Sequence, residues 1–305
     1  MILKNYLKGQ VTKMIIAIVG PTGVGKSNLA IEVAKKVKGE IVNCDAFQIY
    51  KYMNIGTAKP SLEERSIVPH HLFDYVEPDY SFSVYDYQVT LRNKISELKK
   101  RNVPIILVGG TGLYLKAALY DFELNKEETK IDLSEYEKLD NLQLHQVLEK
   151  LDYQESLKIH YNNRKRVLRA IEIFLSHGQK KSEMIEKQSH RPIYDVTFVG
   201  LTKERDELYQ LINQRVDLMF EQGLMDEVKF LMSKYDHSLR SFQAIGYKEI
   251  IDGIKNNVSE EEIKELIKRN SRRYAKRQYT YFNHQLDVNW FVSKEEALKF
   301  ILSKI

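Results

Sequence analysis

The chain has 305 residues, 43% of them hydrophobic and 29% charged. That make-up excludes a disordered polymer and suffices for a full hydrophobic core. Its single cysteine, Cys44, excludes an intrachain disulfide framework and a cysteine-rich zinc site, and fits a reducing, cytoplasmic setting. Lys and Arg outnumber Asp and Glu by 47 to 42, a net charge of +5 too small to define a partner.

Residues 1–13 read as a loose extension. The apolar run behind them, Met14 to Val19, is too short for the core of a signal peptide and runs straight into a glycine-rich motif. No stretch approaches the ~20 apolar residues that span a membrane. The run predicts a buried parallel strand, and Gly20 to Ser27 follows at once. Leu29, Ala30, Val33, Ala34 and Val37 then recur at helical spacing. A second strand is expected over Glu40–Asn43, ending at Asp45. A helical segment over 84–100 precedes a third strand, Pro104–Val108, which ends in Gly-Gly-Thr-Gly.

Residues 121–160 are acidic, rich in Lys and Glu and poor in β-branched residues, which predicts a small helical insertion. The core resumes at 161 with a helix over 163–176, whose apolar stripe is Val167, Ala170, Ile171 and Phe174. A strand within 191–201 and helices over 204–221 and 224–234 follow. An Asn256-Asn257 turn leads into a long helix over 259–283. The predicted class is α/β: a P-loop NTPase-like parallel sheet flanked by helices (14–120 and 161–305), with a small mostly helical insertion domain (121–160).

Gly20-Pro21-Thr22-Gly23-Val24-Gly25-Lys26-Ser27 matches G-x-x-x-x-G-K-[ST] in full, between a strand and a helix. The glycines let the backbone curl so that successive amides face a phosphate, and the helix adds its own unpaired N–H groups. Lys26 is expected to reach the terminal phosphate and the Ser27 hydroxyl to hold Mg²⁺. The motif predicts phosphate binding without deciding between binding and phosphoryl transfer. An NTPase or kinase carries an acid at the end of a neighbouring strand, whereas the strand over 104–108 ends in glycines. The nearest acid is Asp45. It could order magnesium, take a proton from a nucleophile, or simply cap the next turn. Thr111 is similarly a turn hydroxyl or a donor to substrate. Residues 264–277 hold seven Lys or Arg against one Glu, a patch that favours a polyanion, a nucleic acid ahead of a membrane, with a solvated helix face as the plain alternative.

With these residues in view, the chain resembles the tRNA dimethylallyltransferase (tRNA isopentenyltransferase) family. The matching strings are GPTGVGKS at 20–27, DAFQIYKYMNIGTAKP at 45–60 and GGTGLYLKAAL at 109–119. Further along stand IHYNNRKRVLRAIEIF at 159–174, RDELYQLINQRVDLMFEQGLMDEV at 205–228, QAIGYKEI at 243–250 and RRYAKRQYTYF at 272–282. The resemblance implies transfer of a dimethylallyl group from dimethylallyl diphosphate to N6 of adenosine 37 in tRNAs reading codons that begin with U. Pyrophosphate leaves in a Mg²⁺-dependent step. The P-loop then serves as a pyrophosphate cradle, and no ATP need be hydrolysed, although the motif is of the nucleotide-binding, ATP-binding type.

Carried over by the resemblance, Asp45 takes the N6 proton, Thr111 stands near the reacting centre, and Arg215 steadies the departing diphosphate, with Arg205 a weaker candidate. Asp45, Ala46, Phe47 and Gln48, with Thr111, match tRNA-contacting positions, as do Lys165, Arg166, Val167, Leu168 and Arg169; the insertion also matches a tRNA-contacting part. The expected partners are the anticodon stem-loop of tRNA and dimethylallyl diphosphate, with no membrane, and the expected working state is a monomer. Tyr274 and Tyr279, beside the basic helix, are expected to follow the stem phosphates. Three departures stand out: Ala46 replaces the family's Ser, Tyr161 replaces a Pro, and the insertion is short. The competing readings are a small-molecule P-loop kinase, an isopentenyl transferase acting on free AMP, ADP or ATP, and a non-catalytic tRNA-binding GTPase or ATPase. The last lacks support from any N-K-x-D string.

Overall fold

The computed structural model describes residues 14–124, 131–186 and 191–304, so the expected extension over 1–13 lies outside the described residues. Contacts divide the chain into two units, Met1–Leu119 with Ile193–Ile305, and Tyr120–Pro192.

The larger unit is built on six strands: Ile15–Val19 (β1), Glu40–Asn43 (β2), His70–His71 (β3), Ile105–Val108 (β4), Val196–Leu201 (β5) and Val288–Phe291 (β6). They form one parallel sheet in the order β3-β2-β4-β1-β5-β6. Every residue of β1, β2 and β4 is buried, as expected of strands covered on both faces. On one face Ile16, Ile18, Ile41, Ile106, Val108, Val199 and Leu201 meet Leu29, Ala30, Val33 and Ala34 of the helix Lys26–Val37. Leu208 and Ile212 of the helix Arg205–Glu221, Ala275 of Glu260–Gln285, and Ala297 and Ile301 of Lys294–Ser303 join the same core. Alternate strand residues such as Ile15, Ala17 and Val19 are equally buried on the other face. The neighbouring strands β2, β4 and β1 therefore deliver Asp45, Gly109-Gly110 and Gly20 to one edge of the sheet, the end where parallel sheets bind ligands.

Local signals fix the long helices. Ser83 and Ser259 open Val84–Lys100 and Glu260–Gln285 with capping boxes completed by Asp86 and Glu262. The Asn-Asn turn lies just before the second, with Asn257 at φ 52°. Leu62–Ile67, Tyr247–Lys255, β6 and Lys294–Ser303 have no counterpart in the sequence reading. Gly253 reads as a breaker inside Tyr247–Lys255, yet a Cβ there would meet Ile263 Cδ1 at 2.3 Å, so close helix packing demands it.

The smaller unit is helical: Ser134–Glu137, Asn141–Leu151, Tyr153–Ser156, Arg164–His177 and Lys181–Glu186. Its core is Leu144, Leu148, Ile159, Val167, Ala170 and Ile171. The expected end of the insertion at 160 is corrected to Pro192. The apolar stripe of Arg164–His177, assigned to the larger core by sequence, packs on Asn141–Leu151 instead. Arg164 spends its guanidinium on the carbonyls of Leu139 and Glu137, both at 2.7 Å. Buried Asp152 accepts from Ser182 Oγ at 2.6 Å and Ser182 N at 2.9 Å.

Glu227, on the helix Leu224–Lys234, holds the loop after β2. It accepts from the N–H groups of Asn54, Ile55 and Gly56 at 2.9 to 3.2 Å and from the fully buried Tyr247 hydroxyl at 2.6 Å. Glu227→Ala would strand all four donors. Hydrogen bonds to a charged acceptor are worth ~1.5–3 kcal/mol each, and water will reach some of the freed groups. A loss of about 3 kcal/mol in urea unfolding is expected, with Glu227→Gln milder. A loss below about 0.5 kcal/mol would show that this anchor is not needed.

Candidate active site

A cavity of about 560 Å³ opens at the carboxyl edge of the sheet. The phosphate loop forms one wall. Gly20, Gly23 and Gly25 stand at φ 133°, 89° and 88°, the left-handed region that a curled anion-binding loop needs. The helix Lys26–Val37 follows with no acid in its first turn, and the N–H groups of Gly23 through Ser27 bond to no described residue. These amides, with the helix dipole, make a ready anion cradle.

Lys26 Nζ donates to Pro21 O at 2.7 Å. Part of the side chain is open to the cavity, but protein surrounds it. Burial first, and the nearby Arg215 second, push its pKa down to about 7, while Asp45 partly opposes them. Only the protonated amine attracts an anion, and a bound anion raises its pKa. Affinity for inorganic pyrophosphate is therefore full below about pH 7 and falls as pH rises, by up to roughly tenfold per unit. Calorimetry at pH 6.5 to 9 should show this together with proton uptake. Lys26→Arg, which keeps its charge, serves as the reference for the ligand's own ionisation. A pH dependence identical in both proteins would disprove the assignment.

Arg215 projects from the helix Arg205–Glu221 into the same cavity. It makes no hydrogen bond or ion pair with a described residue, and burial lowers its pKa against the pull of Asp45. An arginine stays charged regardless, so this is an uncompensated cation facing a phosphate loop. Arg205 does not share the place. It is exposed, one and a half ångströms of rise per residue puts it about 15 Å along the helix, and its guanidinium lies 5.3 Å from the Tyr209 ring centre.

Asp45 divides its carboxylate between two settings. Oδ1 accepts from Phe47 N at 2.9 Å and Gln48 N at 3.4 Å, the turn-capping arrangement. Oδ2 has no partner among the described residues and lies on the cavity side. Thr111 Oγ1 accepts from Ala46 N at 3.0 Å, and its hydroxyl stands in hydrogen-bonding reach of the Tyr274 phenol. Thr111 N in turn donates to Cys44 O at 3.2 Å, binding the ends of β2 and β4 together. The departure at Ala46 thus removes a hydroxyl but keeps the backbone bond to Thr111.

Gln48 is more constrained than the sequence suggests. Nε2 donates to Thr57 O at 2.9 Å and Ala58 O at 3.1 Å, so only Oε1 is left to meet a ligand. Tyr274, expected along an outer stem-binding face, lines the cavity with Gln278 and Asp45, its phenol against Thr111 behind the lining, and burial raises its pKa. Tyr279 stays outside, packed on Trp290 at 4.9 Å. Gln278 was not singled out by the sequence, although it lies within RRYAKRQYTYF. Nothing in its local pattern distinguishes an inward-facing glutamine on a charged helix.

The described residues offer no group of three or more His, Cys, Asp or Glu side chains. Magnesium keeps several waters and is commonly shared between one or two protein oxygens and substrate phosphates. Ser27, lining the cavity at the head of the phosphate-loop helix, fits that role as a protein oxygen.

In the smaller unit, Lys165, Arg166 and Arg169 are exposed on Arg164–His177, Arg169 pairing with Glu172 at 2.7 Å. Val167 is 0% exposed and Leu168 packs against the same core. These two, expected to touch tRNA, fix the helix instead, because their side chains point inward. No helix among the described residues is long and apolar enough to cross a membrane.

A model of the IPP transferase family matches residues 48–285. The chain is 44% identical over 310 residues to a tRNA dimethylallyltransferase of Bacillus mycoides, covering 97% of each chain. Its fold is similar to that of the crystallised tRNA isopentenylpyrophosphate transferase of Bacillus halodurans, with TM-score 0.72, 41% identity and 96% of each chain covered. It is also similar to a eukaryotic dimethylallyltransferase crystallised in action on tRNA. There the TM-score is 0.79 and the identity 30%, over 93% of this chain and 75% of that one. A family model over residues 48–285 and a relative 44% identical over 97% of the chain, on a cavity that gathers a phosphate loop and Asp45, lead to one conclusion: the chain belongs to the tRNA dimethylallyltransferase, or IPP transferase, family.

Proposed function

We propose that the chain transfers the dimethylallyl group of dimethylallyl diphosphate to N6 of adenosine 37 in tRNAs that read codons beginning with U. The coarser part, a dimethylallyltransferase working on tRNA, follows from the family. The observation that carries the finer reading is a single cavity with an anion cradle (Gly23–Ser27, Lys26, Arg215) at one side and an unpartnered Asp45 Oδ2 beside Thr111 at the other.

In this reading the adenine leaves the anticodon loop and its amine meets Asp45. Extruding a base from a single-stranded loop costs little, and aromatic or Arg side chains can replace its stacking. The N6–C bond forms as the C–O bond to the diphosphate breaks. The N6 proton passes to Asp45 Oδ2, and the bonding pair leaves with pyrophosphate. Phosphate-loop amides, Lys26 and Arg215 receive the charge that develops there. Thr111 orients the adenine side. A magnesium ion held by Ser27 would supply further neutralisation of the leaving diphosphate.

The basic helix would grip tRNA phosphates, with a monomer as the working unit. Of its seven cations, Lys264, Lys268 and Arg272 are tied to Glu261, to Asp217 and Glu265, and to Asn213. Arg269, Arg273, Lys276 and Arg277 are exposed without ion-pair partners among the described residues. Arg273→Ala and Lys276→Ala should each weaken tRNA binding and reduce the salt slope by about one, with the diphosphate KM unchanged. An unaltered slope would remove this face from the tRNA footprint. Lys165, Arg166 and Arg169 are proposed as further backbone contacts.

The deciding experiment incubates protein, Mg²⁺ and dimethylallyl diphosphate with unmodified tRNA in one tube and AMP in another, then searches the digests for N6-dimethylallyl-adenosine by mass. Product in the tRNA tube alone is expected. Product on AMP would point to a free-nucleotide enzyme, and ATP consumption without prenyl transfer to a kinase.

A further inference from the structure

We propose that Gln278 is a positioning residue that locks the phosphate loop to the turn carrying Thr111, fixing the separation between the diphosphate cradle and the Asp45–Thr111 corner. The inference rests on the reading of the cavity given above. Gln278 is 5% exposed, on the helix Glu260–Gln285. Its amide is engaged at both ends, each time by backbone. Oε1 accepts from Thr22 N at 2.9 Å, and Nε2 donates to Gly110 O at 3.0 Å. Thr22 follows the end of β1 and Gly110 follows the end of β4, so one side chain spans the two loops that face each other across the site.

Three observations make this more than packing. A buried amide is costly unless paired, and an apolar side chain would fill the space without that cost. The bond from Thr22 removes one amide from the loop's phosphate-facing set and leaves those of Gly23 to Ser27 open, which sets how the loop is rotated. Gly110 has no room for a side chain: a Cβ would stand 2.0 Å from Gln278 Nε2. Gly110 immediately precedes Thr111, whose hydroxyl and N–H bond to the Cys44–Ala46 segment flanking Asp45. Releasing Gln278 would therefore let the leaving-group side slip against the adenine side, and a slip of about 1 Å can cost on the order of 10²-fold in rate.

The test uses the full chain and two readouts: affinity for inorganic pyrophosphate by calorimetry, and kcat with both KM values for transfer to tRNA. Gln278→Ala is expected to lower kcat 10- to 100-fold and pyrophosphate affinity several-fold, leaving the tRNA KM within about twofold. Gly110→Ala, whose methyl group would push the unaltered glutamine aside, should reproduce the loss. It should add little in the Gln278→Ala background, where its methyl group finds space. Thermal unfolding checks that each variant is folded; if Gln278→Ala is not, Gln278→Glu replaces it. That variant keeps the acceptor for Thr22 and loses the donor to Gly110, so a kcat loss is again expected. A folded variant with kcat and pyrophosphate affinity both within twofold of wild type would overturn the proposal. So would Gly110→Ala and Gln278→Ala losses that simply add. If the unaltered chain binds pyrophosphate but transfers nothing to tRNA, the functional reading fails while the affinity comparison still decides the role of Gln278.

Discussion

Asp45→Asn is expected to slow dimethylallyl transfer about a thousandfold, within the 10²–10⁴ range of a general base, while the chain stays folded. The substitution separates the two uses of this side chain. Its amide oxygen can still accept from Phe47 N and Gln48 N, so the turn after β2 survives. What is lost is the open oxygen that would take the N6 proton. The electrostatic side effect has a defined sign: Asp45 raises the pKa of both Lys26 and Arg215, so its removal lowers that of Lys26 further. The variant should therefore lose pyrophosphate affinity at a lower pH than the parent. At pH 6, where Lys26 remains protonated, loss of a negative charge beside the cradle should leave affinity equal or better. A thousandfold loss in kcat with pyrophosphate affinity retained at pH 6 identifies a chemical role. A rate within tenfold of the parent would leave Asp45 as a turn cap.

What the sequence revealed and what it hid divide along physical lines. The strands ending at Gly20, Asp45 and Gly109 were legible because a parallel sheet buries both faces and writes each strand as an unbroken apolar run. The phosphate loop was legible because its backbone demands glycine at three fixed places. Asp45 was ambiguous for a reason the structure makes plain, since its two oxygens do different things. The bonds that constrain Gln48, and the inward direction of Tyr274, were hidden because sequence gives no side-chain direction. The bonds from Gln48 to Thr57 O and Ala58 O close one irregular loop that has no periodic pattern to read, and the turn of Tyr274 into the cavity depends on elements far apart in the chain. The boundary at Pro192 was missed because the stripe of Val167, Ala170 and Ile171 announces an apolar partner without naming it. The inward packing of Val167 and Leu168 was hidden because a resemblance matches positions in a segment and says nothing of which way each side chain points.

Arg215→Ala carries the second large effect: kcat should fall 10²- to 10³-fold, and the KM for dimethylallyl diphosphate should rise. The guanidinium is an unpaired cation in the cavity, and in the proposed reaction it would meet the negative charge that grows as the C–O bond breaks. Loss of one preorganised donor to such a charge costs about 3–4 kcal/mol in comparable sites. Arg215→Lys keeps the charge but not the fork of donors, and should recover part of the rate. The substitution also acts on Lys26. Arg215 is the second largest cause of its lowered pKa, after burial. With Arg215 gone, Lys26 should hold its proton to higher pH, moving the alkaline loss of pyrophosphate affinity upward, although affinity at pH 6 is weaker throughout. Asp45→Asn should move the same limb downward. Opposite displacements from two residues that flank one lysine are hard to obtain from general damage to the fold. If both variants moved the limb the same way, or neither moved it, the group that titrates near pH 7 would not be Lys26.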